Sequence, residues 1–553
     1  MCGILALLGL EHCDEEMICK ALKLSKKIRH RGGEEHGLYN DDKNILVHER
    51  LSIVGVKNGK QPIEDENLVL IANGEIYNHE ELRKTLGYRK YKTNSDCEVL
   101  MHAYEKYGIN FLEKCNINGM FGFVLYDKRN NFYIIARDPI GIIPLYIGYN
   151  NDKSIDICSE LKGLEGECDK YEEFPPGIYY VGNSMDSSKN FFKHYFNEKW
   201  FSDINYIPKN IVKTEKIKEA LIKAVERHMV CDDSVEMAVL LSGGLDSSLI
   251  ASIASRLYKK KYPNKRLKSY CIGLKNSPDL KAAKDVAEFI GTDHTSFEFT
   301  VDDGVNSLSN IIYHLETFDV TTIRASTPMY LLCKKIKSDG VKMILSGEGA
   351  DEMFGGYLYF HKAPNSDEFH KETVRKLKEL SKLDCLRTNK SAMASGIEPR
   401  VPFLDIEFLN LVMNMNPKMK MCINGIEKYI LRKSFDDTEN LFLPKEVLWR
   451  QKEQFSDGVG YNWIDSLKEI SDKKISFAQM KLSCFRFPVG TPKTKEGYMF
   501  REIFHSHFNS KSAINTVKIG DTIACSSNIA INWDESFNVL DPSGRSIKDI
   551  HSS

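Results

Sequence analysis

The chain has 553 residues, 42% hydrophobic and 28% charged, with a formal net charge of −1. Roughly two or three domains, each with its own core, fit that length. The near-zero charge gives no electrostatic case for nucleic acid or an anionic membrane, and no apolar run approaches a membrane span.

The first ten residues are mostly apolar, but they carry no basic n-region and no small-residue cleavage site. A buried first strand fits them better than a leader. The initiator methionine is usually removed before a small residue, and Cys2 would then carry a free α-amine beside its thiol. That amine titrates near about 7.8, against about 10.4 for lysine. It can therefore act as the local base that a cysteine nucleophile needs. Strands are predicted over 4–10, 44–48, 68–72, 122–126, 132–136, 145–148 and 177–181. Ser95-Asp96-Cys97-Glu98 has the form of a capping box opening a helix to about residue 107. Two sheets with helices outside is the packing this pattern predicts. The fourteen cysteines of the whole chain show no Cys-x-x-Cys or Cys/His cluster. They point to a reducing, cytoplasmic setting rather than to disulfides or a structural zinc.

Residues 205–213 read as a polar linker. Beyond them strand and helix alternate: helix 216–227, strand 237–241, strand 268–274, helix 279–290, strand 295–299, helices 305–317 and 328–337, and strand 342–345. This predicts a doubly wound parallel sheet, in which ligands bind beyond the carboxyl ends of strands. The first strand runs into Leu241-Ser242-Gly243-Gly244-Leu245-Asp246-Ser247, and helical spacing resumes at Leu249. A strand, glycine loop and helix N-terminus aim backbone N–H groups at one point, an anion site with phosphate as the expected anion. The Gly-x-x-x-x-Gly-Lys-Ser/Thr pattern is absent, and the loop carries Asp246 instead of a lysine. A carboxylate beside phosphates calls for a cation between them, most simply Mg²⁺. The stretch 346–357 again crowds glycines and carboxylates at a strand's end, with Asp351 placed to share the Mg²⁺ and Glu348 to face the substrate. A charged helix over 465–474 and a polar, loop-rich tail over 526–553 complete the chain.

Met1-Cys2-Gly3-Ile4, Arg50-Leu51-Ser52-Ile53-Val54, Asn73-Gly74-Glu75-Ile76-Tyr77-Asn78 and Ser95-Asp96, taken in order, resemble class II glutamine amidotransferase domains of the N-terminal nucleophile type. The resemblance implies that Cys2 attacks the side-chain amide of glutamine, forms a glutamyl thioester and releases ammonia. Asn73 and the Gly74 N–H would form the oxyanion hole. Arg50, within a pocket segment that includes Leu51, Ser52, Ile53 and Val54, would hold the substrate α-carboxylate. Glu75 and Asp96 would hold its ammonium. His30-Arg31-Gly32-Gly33 resembles the mobile loop over glutamine, with Gly33 where that family usually has proline.

The Ser242-to-Ser247 loop resembles the pyrophosphate loop of ATP pyrophosphatases. Val320-Thr321-Thr322-Ile323-Arg324-Ala325-Ser326, the 346–357 stretch, Glu398-Pro399-Arg400-Val401-Pro402-Phe403-Leu404-Asp405 and 450–460 resemble glutamine-hydrolysing asparagine synthetases. This implies an α+β N-terminal nucleophile sandwich over 2–204, followed over 214–553 by an α/β doubly wound parallel-sheet domain with a helical C-terminal region. It implies that ATP and L-aspartate give β-aspartyl-AMP and pyrophosphate. Ammonia from L-glutamine, passed through an internal tunnel, would then displace AMP. The expected ATP contacts are Leu241, Ser242, Gly243, Gly244, Asp246, Ser247, Ile272, Ser346, Gly347 and Lys452. Aspartate is expected at Thr321, Thr322 and Arg324, Mg²⁺ at Asp246 and Asp351, and acid–base work at Glu348. A homodimer is expected. A β-lactam synthetase relative would lack the nucleophilic cysteine. A non-catalytic glutamine- or ATP-binding module would be expected to have lost an acid or the nucleophile, whereas Cys2, Asp246, Glu348 and Asp351 all stand here.

Overall fold

The computed structural model describes residues 1–87, 90–450, 462–519 and 528–535. Two six-stranded antiparallel sheets face each other in the first half. One runs in the order Lys170–Glu173, Tyr146–Tyr149, Ile155–Cys158, Gly3–Leu8, Asn44–Arg50, Glu35–Asn40. The other runs Phe191–His194, Ile178–Asn183, Phe132–Arg137, Gly119–Asp127, Leu68–Ile76, Ile63–Glu64. Ile4, Ala6 and Leu8 pack between the sheets with Val69, Ile71, Val124 and Ile135. Leu5 and Leu7, on the opposite face, pack with Ala21 and Leu24 of helix Glu15–Lys26. A strand covered on both faces is apolar throughout, which is why this one looks leader-like in sequence. Helix Val99–Tyr107 covers the outer face of the second sheet.

The seven predicted strands are present with shifted ends. Strand Glu35–Asn40 was missed because its residues alternate between half-buried and exposed and include glycine and charge. The other four missed strands are two to four residues long. Ser95 does cap, accepting from the Cys97 N–H at 3.3 Å, but the box does not form. The Glu98 carboxylate turns instead to the Lys92 and Thr93 N–H groups, at 2.6 and 2.7 Å. The turn Asp96–Glu98 is therefore a 3₁₀ turn leading into the helix.

The second half is built on a five-stranded parallel sheet in the order Asp293–Glu298, Lys268–Gly273, Met237–Leu240, Met343–Leu345, Glu398–Arg400. The chain starts at the central strand, winds one way and then returns to wind the other. The switch point lies between Met237–Leu240 and Met343–Leu345, whose carboxyl ends carry the two glycine loops.

The helix predicted over 328–337 begins earlier, as Val320–Ser338, with Asp319 as its cap accepting from the Thr322 N–H at 2.8 Å. Pro328 sits inside it. A proline cannot donate to the carbonyl four residues back, here that of Arg324. The indole Nε1 of Trp463 donates to that carbonyl at 3.0 Å, which satisfies the freed acceptor. Proline at a helix start is the commoner pattern, so the sequence pointed to the wrong first residue. The 205–213 stretch does not hang free: the Asn416 N–H donates to the Asn210 carbonyl at 2.8 Å. The charged helix expected over 465–474 is part of Asn462–Lys474. Residues 526, 527 and 536–553 of the expected tail lie outside the described residues; Asn528–Trp533 is helical.

Candidate active sites

Cys2 stands at the start of the innermost strand and is 7% exposed. Its backbone nitrogen donates to Asn73 Oδ1 at 2.8 Å, and its Sγ lies 3.7 Å from the Leu51 carbonyl. Burial pushes its thiol up from the ordinary range. Asn73 reaches Cys2 from Leu68–Ile76, and its Nδ2 points to Ser159 Oγ at 3.4 Å. Gly74 follows with φ +146°, where an added Cβ would run into the Met120 carbonyl. Glycine is required at that position, within a strand that pairs without interruption from Leu68 to Ile76.

The remaining residues expected around glutamine converge here. Glu75 lies 3.4 Å from Arg400 Nη2, and burial, with the nearby Asp96 charge, pushes its carboxyl up to about 8. Asp96 Oδ2 accepts from the Ile76 N–H at 2.6 Å, which fixes it beside Glu75. Arg50 is held by Glu35 at 2.5 Å and by the Gly55 carbonyl at 2.7 Å. The Leu51-to-Val54 segment is pinned at both sides: the Ser52 N–H donates to Glu34 at 3.0 Å, and Gly55 and Val56 donate to Asp232 at 3.1 and 2.9 Å. Arg31 is fully buried rather than at a loop surface, and its Nε donates to the Cys2 carbonyl at 2.9 Å. Met1 is buried as well, with its amine on Glu398.

The second site is a cleft at the switch point. Leu241, Ser242, Gly244, Asp246, Ser247, Ile272, Thr321, Ser346, Gly347, Glu348 and Asp351 all line it. The Ser242 and Ser247 hydroxyls lie 2.9 Å apart across the loop, and helix Leu245–Lys261 starts at its far end. The second loop packs directly on the first, since an added Cβ on Gly347 would meet the Ser247 N–H nitrogen at 2.7 Å. Glu348 Oε2 accepts from Arg387 Nη2 at 2.8 Å. Burial raises its carboxyl against the pull of that guanidinium.

Asp246 and Asp351 share one cation already: Lys428 Nζ lies 2.5 Å from Asp246 Oδ2 and 2.5 Å from Asp351 Oδ1. Two carboxylates aimed at one point fit a Mg²⁺ that takes its other ligands from phosphates and water. Among the described residues no cluster of three or more side chains that could hold a metal forms.

Three expectations need correction. Gly243 is not among the residues lining the cleft; with φ +79° and Ala282 where an added Cβ would run, it turns the loop and packs it on helix Pro278–Ile290. Arg324 is buried in a bidentate pair with Glu496, at 2.8 and 2.5 Å, and does not face the cleft. Thr322 is buried too, and of the three aspartate candidates only Thr321 reaches the cleft. Lys452 lies outside the described residues. The sequence reading missed Lys428, Asp384 and Arg387, which also line the cleft. Lys428 comes from a positive-φ position, φ +55°, in a segment with no recognisable pattern. Asp384 and Arg387 sit one turn apart on an otherwise ordinary helix, Asp384–Met393.

Among the described residues no helix is long and apolar enough to cross a membrane, and none of the thirteen described cysteines is in a disulfide. Residues 1–196 match the family model described as a glutamine amidotransferase domain, and 216–368 and 362–527 match that of asparagine synthase. The asparagine synthetase [glutamine-hydrolyzing] 1 of Arabidopsis thaliana is 50% identical over 563 residues, covering 100% of this chain and 94% of that one. The nodule asparagine synthetase [glutamine-hydrolyzing] of Pisum sativum and the asparagine synthetase [glutamine-hydrolyzing] of Asparagus officinalis are each 49% identical over the same shares of both chains. With both halves matched and relatives this similar along the entire chain, it belongs to the glutamine-hydrolysing asparagine synthetases.

Proposed function

We propose that the two sites work in series on one nitrogen atom, with Cys2 releasing it from glutamine and the switch-point cleft receiving it. Removal of Met1 would turn the Cys2 nitrogen, now an amide against Asn73 Oδ1, into an amine. That amine takes the thiol proton, and the thiolate attacks the glutamine amide carbon. Asn73 Nδ2 and the Gly74 N–H face the developing oxyanion. The amine then gives its proton to the departing ammonia, and water hydrolyses the thioester to glutamate. Arg50 holds the substrate carboxylate, and Glu75 with Asp96 holds its ammonium.

In the cleft, an oxygen of the aspartate side-chain carboxylate attacks the α-phosphorus of ATP. A P–O bond forms to give β-aspartyl-AMP, and the bond to pyrophosphate breaks. Mg²⁺ on Asp246 and Asp351 would neutralise phosphate charge. Lys428, which pairs with both carboxylates, would add a positive charge beside the phosphates. Ammonia attacks the activated carbonyl, Glu348 accepts a proton, and AMP leaves. The observation that carries this reading is the meeting of two glycine loops, Asp246, Asp351 and Glu348 at one switch point, in the same chain as Cys2 against Asn73. A homodimer and a cytoplasmic setting belong to the same reading, the first on family resemblance and the second on cysteine usage.

Aspartate labelled with ¹⁸O in its side-chain carboxylate tests the adenylation. One ¹⁸O is expected in the AMP formed with each asparagine, alongside pyrophosphate. Label in inorganic phosphate, with ADP as the nucleotide product, would replace the acyl-adenylate by an acyl phosphate.

A further inference from the structure

Helix Asp384–Met393 has two working faces. On one, Arg387 is shared between Glu348 at 2.8 Å and Asp384 at 2.6 Å. Asn389 lies two residues on, about 200° round the helix, and so faces the first half of the chain. There its Oδ1 accepts from Arg31 Nη2 at 3.0 Å. The same guanidinium donates to Glu160 at 2.6 Å and to the backbone carbonyl of Cys2 at 2.9 Å. Arg31 and Asn389 are 0% and 1% exposed, so the contact is shielded from water.

The chain continues from this helix into strand Glu398–Arg400, which also touches both sites. Its Arg400 carbonyl accepts from the Ser346 N–H at 2.9 Å, two residues before Glu348. Its guanidinium lies 3.4 Å from Glu75. One helix–strand unit, residues 384–400, thus contacts the acid of the cleft through Arg387 and reaches the glutamine site through Asn389 on Arg31, which holds the Cys2 carbonyl, and through Arg400 beside Glu75.

We propose that this unit sets the geometry of Cys2 according to the state of the cleft, with Asn389 as the positioning residue. The proposal rests on the two-site reading above. Arg387 has two carboxylates to serve. When Glu348 engages substrate or takes a proton, Arg387 is left to Asp384, and the helix settles differently against Arg31. A filled cleft and an empty one then differ in how the Cys2 backbone is held, which is the differential interaction that coupling requires. The functional result is that glutamine is hydrolysed fastest when ATP and aspartate are in place.

Asn389→Leu keeps the side-chain shape and removes the acceptor. Glutamate and asparagine are measured from glutamine with and without ATP, Mg²⁺ and aspartate, with synthesis from ammonium alongside. In the unchanged protein, ATP and aspartate are expected to raise kcat/KM for glutamine about tenfold. In N389L the stimulation falls below about twofold and the glutamate-to-asparagine ratio rises, while synthesis from ammonium is unchanged. N389D, which keeps an oxygen for Arg31, restores the stimulation. N389L with full stimulation and an unchanged product ratio would overturn the proposal, as would a glutaminase indifferent to ATP and aspartate in the unchanged protein. If N389L does not fold, alkylation of Cys2 by iodoacetamide in the unchanged protein decides. A rate that changes when ATP, Mg²⁺ and aspartate are added supports the coupling, and a constant rate removes it. Absence of glutamine hydrolysis, or of synthesis from ammonium, in the unchanged protein would instead remove the two-site reading beneath it.

Discussion

Cys2→Ala abolishes the use of glutamine, by about 10⁴-fold or more in kcat/KM, and leaves asparagine synthesis from ammonium at its original rate. The substitution removes the sulfur beside the Leu51 carbonyl, on the residue whose nitrogen meets Asn73, and alanine offers nothing that could form a thioester. The cleft keeps every group that lines it, because none comes from the Cys2 strand. The pocket around Cys2 should survive, since the side chain is small and the strand is held by pairing to Asn44–Arg50. Initial rates with glutamine and with ammonium, measured on the same preparation, check this. Loss of both activities with the fold intact would end the division of labour between the two halves.

Asp246→Asn has the opposite effect. Synthesis from either nitrogen source drops by about 10²- to 10³-fold, whereas glutamine hydrolysis persists. Asparagine has nearly the same shape, so the loop built by Ser242, Gly243 and Ser247 stays folded. What changes is charge: one of the two carboxylates that share Lys428 is gone, and with it half of the site expected to take Mg²⁺. A Mg²⁺ titration at saturating ATP should show the midpoint moving upward in the variant. Wild-type synthesis with an unchanged midpoint would take Asp246 out of the metal site.

The parts of this molecule legible in sequence were those whose chemistry is local. The Ser-Gly-Gly-Leu-Asp-Ser loop announces itself because a tight strand-to-helix turn, backbone donors and a carboxylate all fall within six residues. Gly74 is legible as part of Asn73-Gly74-Glu75, although the reason for glycine there, the Met120 carbonyl of the neighbouring strand, is not. Groups supplied from a distance were not readable. Lys428 reaches the cleft from a left-handed turn 182 residues beyond Asp246. Arg387 and Asn389 look like two polar positions on a helix, and only packing reveals that their faces meet different sites. Arg324 failed for the converse reason. An arginine in a resembling segment looked available for an anion, but its bidentate partner, Glu496, lies 172 residues away and carries no motif. The start of helix Val320–Ser338 was hidden in the same way, since the group that tolerates Pro328 is an indole from a separate helix.

The most direct test of the two-site account combines the intact mass of the purified protein with one incubation. The protein is given ATP, Mg²⁺, aspartate and amide-¹⁵N glutamine. The account predicts a chain lacking Met1, with ¹⁵N in the side-chain amide of asparagine in step with AMP release. A chain that keeps Met1 and makes asparagine only when ammonium is added would contradict it, leaving the switch-point cleft as the sole working site.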